Sequence, residues 1–225
     1  MATRYFTPKT FGFLKDLEKN NNRPWFTENK SRYEKELKEP ALRFIEDFES
    51  RLMKISPHFH AGRRSFFRIY RDTRFSKDKS PYKTYAGIQF RHEARGSDVH
   101  APGFYLHIEP GHSGVGCGMW HPDSKSLLKV REAIVEEPAK WKRAKGAKRF
   151  KETFELTGDS LKTAPRGFDA DHPLIEDLRR KDFIGWTSLS QKAITDPEFL
   201  GEFTAICRAA VPFQRWLCDA VGVAY

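Results

Sequence analysis

Residues 104–120, FYLHIEPGHSGVGCGMW, decide the fold. Phe104, Leu106 and Ile108 alternate with Tyr105, His107 and Glu109. Val115, Cys117 and Met119 alternate with Gly114, Gly116, Gly118 and Trp120. Side chains of an extended chain point to opposite faces in turn, so each run has one apolar side. Between the runs, Glu109-Pro110-Gly111-His112 has the composition of a tight turn. The stretch predicts an antiparallel hairpin with one face on a core. The all-glycine side of its second strand predicts close approach by another backbone or a ligand.

The same period extends upstream. Phe67 and Ile69 alternate with Arg68 and Tyr70, and Ile88 and Phe90 with Gly87, Gln89 and Arg91, which makes four such segments. Arg68, Tyr70, Gln89, Arg91, Tyr105, His107 and Glu109 are therefore expected on the face away from the core. Helical spacing dominates before this region. Thr7-Pro8 opens a helix that Asn20-Asn21-Asn22 stops, and a second runs from Trp25 or Thr27 to about Leu37. A third opens at Pro40 and places Leu42, Ile45, Phe48, Leu52 and Ile55 on one stripe. After His121-Pro122 the pattern predicts a helix from about Asp123 to Glu136, then a basic stretch that forms a second short helix. Phe150–Leu156 reads as a strand, Pro173 opens a short helix through Arg180, and Phe183–Leu189 reads as a further strand. One last helix spans about Asp196 to Val221, with a bend at Pro212.

This order gives an α+β fold: a mainly antiparallel sheet with one face covered by helices, an N-terminal helical layer and a long C-terminal helix. A single domain over residues 1–225 is expected, with the helical layer at about 7–56, the sheet core at about 64–120 and a mixed part at about 121–225.

No apolar run reaches the roughly 20 residues that cross a bilayer, and MATRYFTPKT has no apolar signal core. A cytoplasmic protein with no membrane partner is expected. Cys117, Cys207 and Cys218 are odd in number and form no CxxC pair, which argues against a disulfide scaffold or a thiol-rich zinc site. Oligomeric state is not readable, and no residue pattern names a cofactor.

Forty Lys and Arg against thirty Asp and Glu give a net charge of +10. The excess is concentrated. Residues 61–95 hold ten basic residues against three acidic ones, and 139–151 hold seven with no acid, so the rest of the chain is net acidic. Confined positive charge points to an anionic partner better than net charge does.

The most unusual segment is Phe66–Lys83, FFRIYRDTRFSKDKSPYK. Arg68, Arg71, Arg74, Lys77, Lys79 and Lys83 are interleaved there with Phe75 and Tyr82. The planar fork of arginine suits phosphate or carboxylate, and lysine adds mobile charge. With Arg91 and the Tyr105/His107/Glu109 face, these residues are the candidate ligand-binding set. The expected partner is phosphate-bearing: nucleic acid or a nucleotide-like metabolite. Asp72 and Asp78 either orient these cations in a structural network or act chemically. The alternative functions are an enzyme on an anionic or phosphorylated small substrate, using Asp72 or Asp78 with Arg71, Arg74 and Lys79, and a protein-interaction module for an acidic partner. His107-x-Glu109, with His112 or His121 as a third donor, also suits a metal, but a polar strand face is the simpler reading and no metal is assigned. Asp169, Asp171 and His172 read as the cap of the helix that follows. Trp141 among the cations of residues 139–151 has the composition of a nucleic-acid binder or of plain solvated surface.

The segment RIYRDTRFSKDKSPYK, followed by YLHIEPG and GVGCGMW, resembles a conserved, largely bacterial and fungal family, a domain of unknown function. The shared core is R-D-x-R-F-S-K-D-K-(S/T)-P-Y-K, matched here from Arg71 to Lys83. Tyr105, Glu109, Gly116 and Gly118 match again, as do Gly167, Phe168, Asp169, His172 and Pro173. The resemblance spans nearly the whole chain and implies no established activity.

Overall fold

The computed structural model describes residues 3–94 and 100–225; Arg95, one of the ten basic residues of the 61–95 segment, lies outside them. Helix α1 is Pro8–Lys19, with Pro8 in the first turn and the Thr7 N–H donated to Thr10 Oγ1 at 3.1 Å. It buries Phe11, Phe13, Leu14 and Leu17. The next helices are α2 (Arg23–Glu28) and α3 (Lys30–Tyr33), and a π-turn at Glu34–Lys38 leads without a break into α4 (Glu39–Met53). Pro40 therefore does not open a separate helix. Proline has no N–H to give the carbonyl four residues earlier. At that carbonyl, Glu36 O, the Thr10 hydroxyl donates instead, at 2.8 Å. The wide turn and this substitute donor keep the chain helical across the proline.

Six strands form one antiparallel sheet: β1 (Phe59–His60), β2 (Ala86–His92), β3 (Gly103–Ile108), β4 (Ser113–Met119), β5 (Glu155–Thr157) and β6 (Phe183–Leu189), in the order β1-β2-β3-β4-β6-β5. The expected hairpin is β3–β4, registered through Tyr105↔Gly116 and His107↔Gly114. Ile88, Phe90, Phe104, Leu106, Ile108, Val115, Cys117 and Met119 are all buried. Across the strands, the core continues into Phe44 and Phe48 of α4, and Phe48 meets Phe90 at 4.7 Å between ring centroids.

The expected strand around Phe67–Ile69 does not form. This segment touches β2 through one bridge, Phe66↔Ile88, and one bond from the Phe67 N–H to Gly87 O at 2.9 Å. On the edge of β2 away from β3, the regular ladder belongs to β1, which pairs Phe59 with His92. Ile69 is buried, but in a loop, whereas Phe67, expected on the core side with it, is only half-buried and sets its ring against Tyr105, Lys83 and Arg91 on the outer side of the sheet.

The C-terminal part consists of α5 (Ser124–Glu136), α6 (Pro138–Gly146), α7 (Lys148–Thr153), α8 (Ile175–Leu178), α9 (Gln191–Ile194), α10 (Phe199–Ala209) and α11 (Val211–Val221). Helix α5 starts where expected, with the Ser126 N–H donated to Asp123 Oδ1 at 2.9 Å. Phe150 lies in α7, and only Glu155–Thr157 of the expected Phe150–Leu156 strand is extended. The long C-terminal helix is two helices: the break falls at Ala210, so that Pro212 sits in the first turn of α11, where a missing N–H costs nothing. Trp141, set among lysines in the sequence, is fully buried against Phe183, Phe213 and Trp216. That removes it as a stacking platform for nucleic acid.

The bare side of β4 receives a side chain of the protein itself. A methyl on Gly114 would lie 2.3 Å from Cζ2 of Trp186, and one on Gly116 would lie 3.4 Å from its Cε3. Gly118 is more constrained. Its φ is +107°, and a methyl there would meet the Phe183 carbonyl oxygen at 2.0 Å. Gly118→Ala is expected to cost about 2–4 kcal/mol through backbone strain and overpacking. Urea unfolding of the variant against the parent measures it, and an unchanged midpoint would refute this account of β4.

Candidate functional site

Loop 71–81 leaves the body of the protein at Tyr70 and returns at Tyr82, and these two form a bridge. The Arg71 N–H donates to Pro81 O at 2.9 Å and the Lys83 N–H to Ile69 O at 2.8 Å, which closes the base of the loop. Tyr82 is buried and stacks on Phe26 of α2 at 4.0 Å between centroids. Asn21 fastens the same point from the α1–α2 turn. Its side chain donates to Tyr82 O at 2.9 Å and accepts from the Tyr82 N–H at 3.1 Å.

Within the loop the charges are largely paired. Arg74 grips Asp72 with Nε at 3.0 Å and Nη2 at 2.7 Å. Asp78 accepts the Ser80 N–H at 2.9 Å and bonds Arg71, whose Nη1 also reaches Ser80 Oγ at 2.6 Å. Hydrogen bonds from the Arg74 side chain and backbone hold the Asp72 carboxyl down to about 2. The Ser80 backbone N–H, then Arg71, does the same to Asp78. Both pairs lie in solvent and contribute little to global stability. Lys79 donates to Thr73 O at 2.9 Å, and Lys83 donates to Arg68 O at 2.9 Å above the Phe67 ring. Arg68, Lys77 and Phe75 are exposed.

A recess of about 570 Å³ opens between this loop and the α1–α2 turn, lined by Asn21, Asn22, Arg23, Thr27, Tyr70, Arg71, Thr73, Lys79, Pro81 and Tyr82. Three of these residues are cations and none carries a carboxylate. Of the sequence candidates, Arg71, Lys79 and Tyr82 line it; Arg68, Asp72, Arg74, Lys77, Asp78, Lys83 and Arg91 do not. Arg23 and the asparagines escape a sequence reading because Asn20-Asn21-Asn22 reads there only as a helix stop.

The profile of the conserved hypothetical proteins DUF2461 matches residues 9–216. The chain belongs to this family. No curated protein and no solved structure matches it. Among the described residues of this DUF2461 chain, no helix is long and apolar enough to cross a membrane.

The Tyr105/His107/Glu109 face forms a second, separate group in the DUF2461 chain. Tyr105 Oη lies 2.9 Å from His107 Nδ1, and His107 Nε2 lies 2.9 Å from Glu109 Oε2. A carboxylate only accepts, so a neutral His107 gives its Nε2–H to Glu109 and takes the Tyr105 O–H at Nδ1. His112 Nδ1 is 3.5 Å from the same carboxylate oxygen. His107, Glu109 and His112 thus come together as ligating groups, whereas His121 lies beside Asp182. Tyr85 packs on His107 at 4.6 Å, and Trp186 stacks on His112 at 6.0 Å. Arg91 lies over Phe67. The third group, Asp169 to His172, forms turns: the Asp171 N–H donates to Asp169 Oδ1 at 2.9 Å and the Leu174 N–H to His172 Nδ1 at 3.1 Å, ahead of α8.

Burial pushes the His107 imidazole below its ordinary value of 6.5, against the opposing pull of Glu109. His92 and His100 shift the same way for the same cause. The unfolded chain then takes up protons that the folded one refuses, so stability is complete above about pH 6.5 and declines as pH falls below it. The urea midpoint is expected to drop between about pH 7.5 and about pH 5.5, and His107→Gln to flatten part of that slope. An identical slope in the variant would refute the assignment.

Proposed function

We propose that the protein binds a compact phosphate-bearing anion in the recess between loop 71–81 and the α1–α2 turn. One observation carries this reading: Arg23, Arg71 and Lys79 share a lining that contains no carboxylate. Arg71 keeps its pair with Asp78 outside this lining, and cations in a concave wall that holds no carboxylate raise the local concentration of anions. The described bonds of Arg71 to Asp78 and Ser80 use only Nη1, and a guanidinium offers five N–H donors, so the pair leaves capacity for a ligand. Asn21, Asn22 and Thr27 add neutral polar groups, and the half-exposed Tyr70 ring adds a flat wall for an organic portion. The volume of about 570 Å³ lies in the range of small-molecule sites, roughly 300–1,000 Å³.

A phosphorylated small molecule suits this shape better than an extended nucleic acid. The second basic stretch adds no residue to the lining of the recess; there Trp141 is core, Lys145 pairs with Asp177 at 2.6 Å, and Lys140 pairs with Glu137 at 2.5 Å.

Calorimetric titration of the full chain with pyrophosphate and with ATP tests the proposal. Saturable one-to-one binding is expected, weakened by about tenfold or more in Arg23→Gln/Lys79→Gln, as loss of charge-assisted bonds implies. No saturable binding of either probe, or equal binding by the double variant, would overturn it. A salt slope equivalent to many phosphates on a long oligonucleotide, with no response to either small probe, would replace it with nucleic-acid binding.

A further inference from the structure

At the far end of the outer sheet face, β3 turns back on itself and brings two imidazoles against one carboxylate. We propose that His107, Glu109 and His112 bind one divalent transition-metal ion, with zinc the best match to the donors. The site stands apart from the anion recess, whose lining contains none of the three.

The geometry supports it first. One ligand atom from each residue lies within 4.8 Å of the others. Glu109 Oε2 is 2.9 Å from His107 Nε2 and 3.5 Å from His112 Nδ1. Zinc–nitrogen and zinc–oxygen bonds of about 2.1 Å place neighbouring ligands of a tetrahedral ion about 3.4 Å apart. Small side-chain adjustments therefore suffice to admit the ion. Two imidazoles and a carboxylate suit zinc, and three protein ligands leave a fourth position open.

The setting is also that of a metal site. His107 Nδ1 faces the Tyr105 hydroxyl at 2.9 Å, the outer-shell partner that orients a ligating imidazole. Binding at Nε2 moves the ring proton to Nδ1, where it is donated to the phenol oxygen, and the ring loses no proton overall. The backbone holds the other two ligands. The His112 N–H closes the turn on Glu109 O at 3.2 Å, with Gly111 at φ +81°. The Ser113 hydroxyl accepts from the Glu109 N–H at 3.0 Å and donates to Glu109 O at 2.7 Å. Trp186 lies nearly parallel to the His112 ring, at 17°, and steadies a side chain that is otherwise 74% exposed. That exposure gives an ion its entry path.

Titration of the chelator-stripped full chain with zinc, and with cobalt(II) followed by its visible absorption, tests the site. One equivalent is expected to bind and to give a ligand-field band. His112→Ala and Glu109→Gln should each weaken binding about tenfold or more and abolish the band, and Tyr105→Phe should weaken it about tenfold while keeping the band. Exposed His112 keeps the metal-free fold of its variant intact, which an unchanged unfolding midpoint checks. His58 and His60 form another histidine group, around Glu93, at 2.5 and 4.0 Å. If His58→Ala/His60→Ala removes the binding and His112→Ala does not, or if no one-to-one binding of either metal occurs, the proposal is wrong.

Discussion

Strand β4 must be bare on one side and apolar on the other, and both faces of the molecule depend on that condition. Its apolar side, Val115, Cys117 and Met119, closes the aromatic core over α10 and α11. Its bare side lets the indole of Trp186 lie flat across Gly114 and Gly116. The indole in turn walls the polar cluster, standing edge-on to His107 and parallel to His112. A side chain on Gly114 would displace Trp186 and with it the support of His112. Packing and chemistry therefore share one strand.

A different constraint builds the recess. Its two sides lie about sixty positions apart in the chain, and the contact that joins them is the reciprocal pair of hydrogen bonds between the Asn21 side chain and the Tyr82 backbone. Phe26 stacked on Tyr82 supplies the apolar half of the joint. Asn21 satisfies both backbone groups of Tyr82 at once, a match that a carboxylate, which only accepts, cannot make.

Much of this architecture can be read directly from the chain. Alternation around residues 104–119 identifies two strands because each carries a clean period of two against a buried face, and β-branched and aromatic content marks residues 183–189 as another. The Phe67–Ile69 segment shows the same alternation yet forms no ladder, and without a ladder to hold the pleat Ile69 goes to the core while Phe67 turns to Tyr105. The glycines of β4 predict a close approach, but they do not say that the visitor is Trp186, seventy positions away. The basic loop is visible from composition. Its partner Arg23 is not, because a triple asparagine reads as a stop signal, and its second use as a tether appears only once Tyr82 is placed beside it. Trp141 is the opposite case: surrounded by lysines in sequence, it points inward because helical geometry separates neighbours by about 100°. The histidine and carboxylate of β3 are legible as a strand face, whereas the choice of His112 over His121 as their companion depends on where the turn directs each ring.

The closure of loop 71–81 at its base has a mechanical consequence. Both exits are pinned by backbone bonds at Arg71 and Lys83, groups that every residue except proline can provide. The intervening residues pack on little, with Phe75 95% exposed at the tip. Lengthening such a segment adds only a slowly growing closure cost. The base thus holds the loop whatever stands at its tip, and a change at Phe75 alters the face shown to solvent while leaving the hydrophobic interior undisturbed.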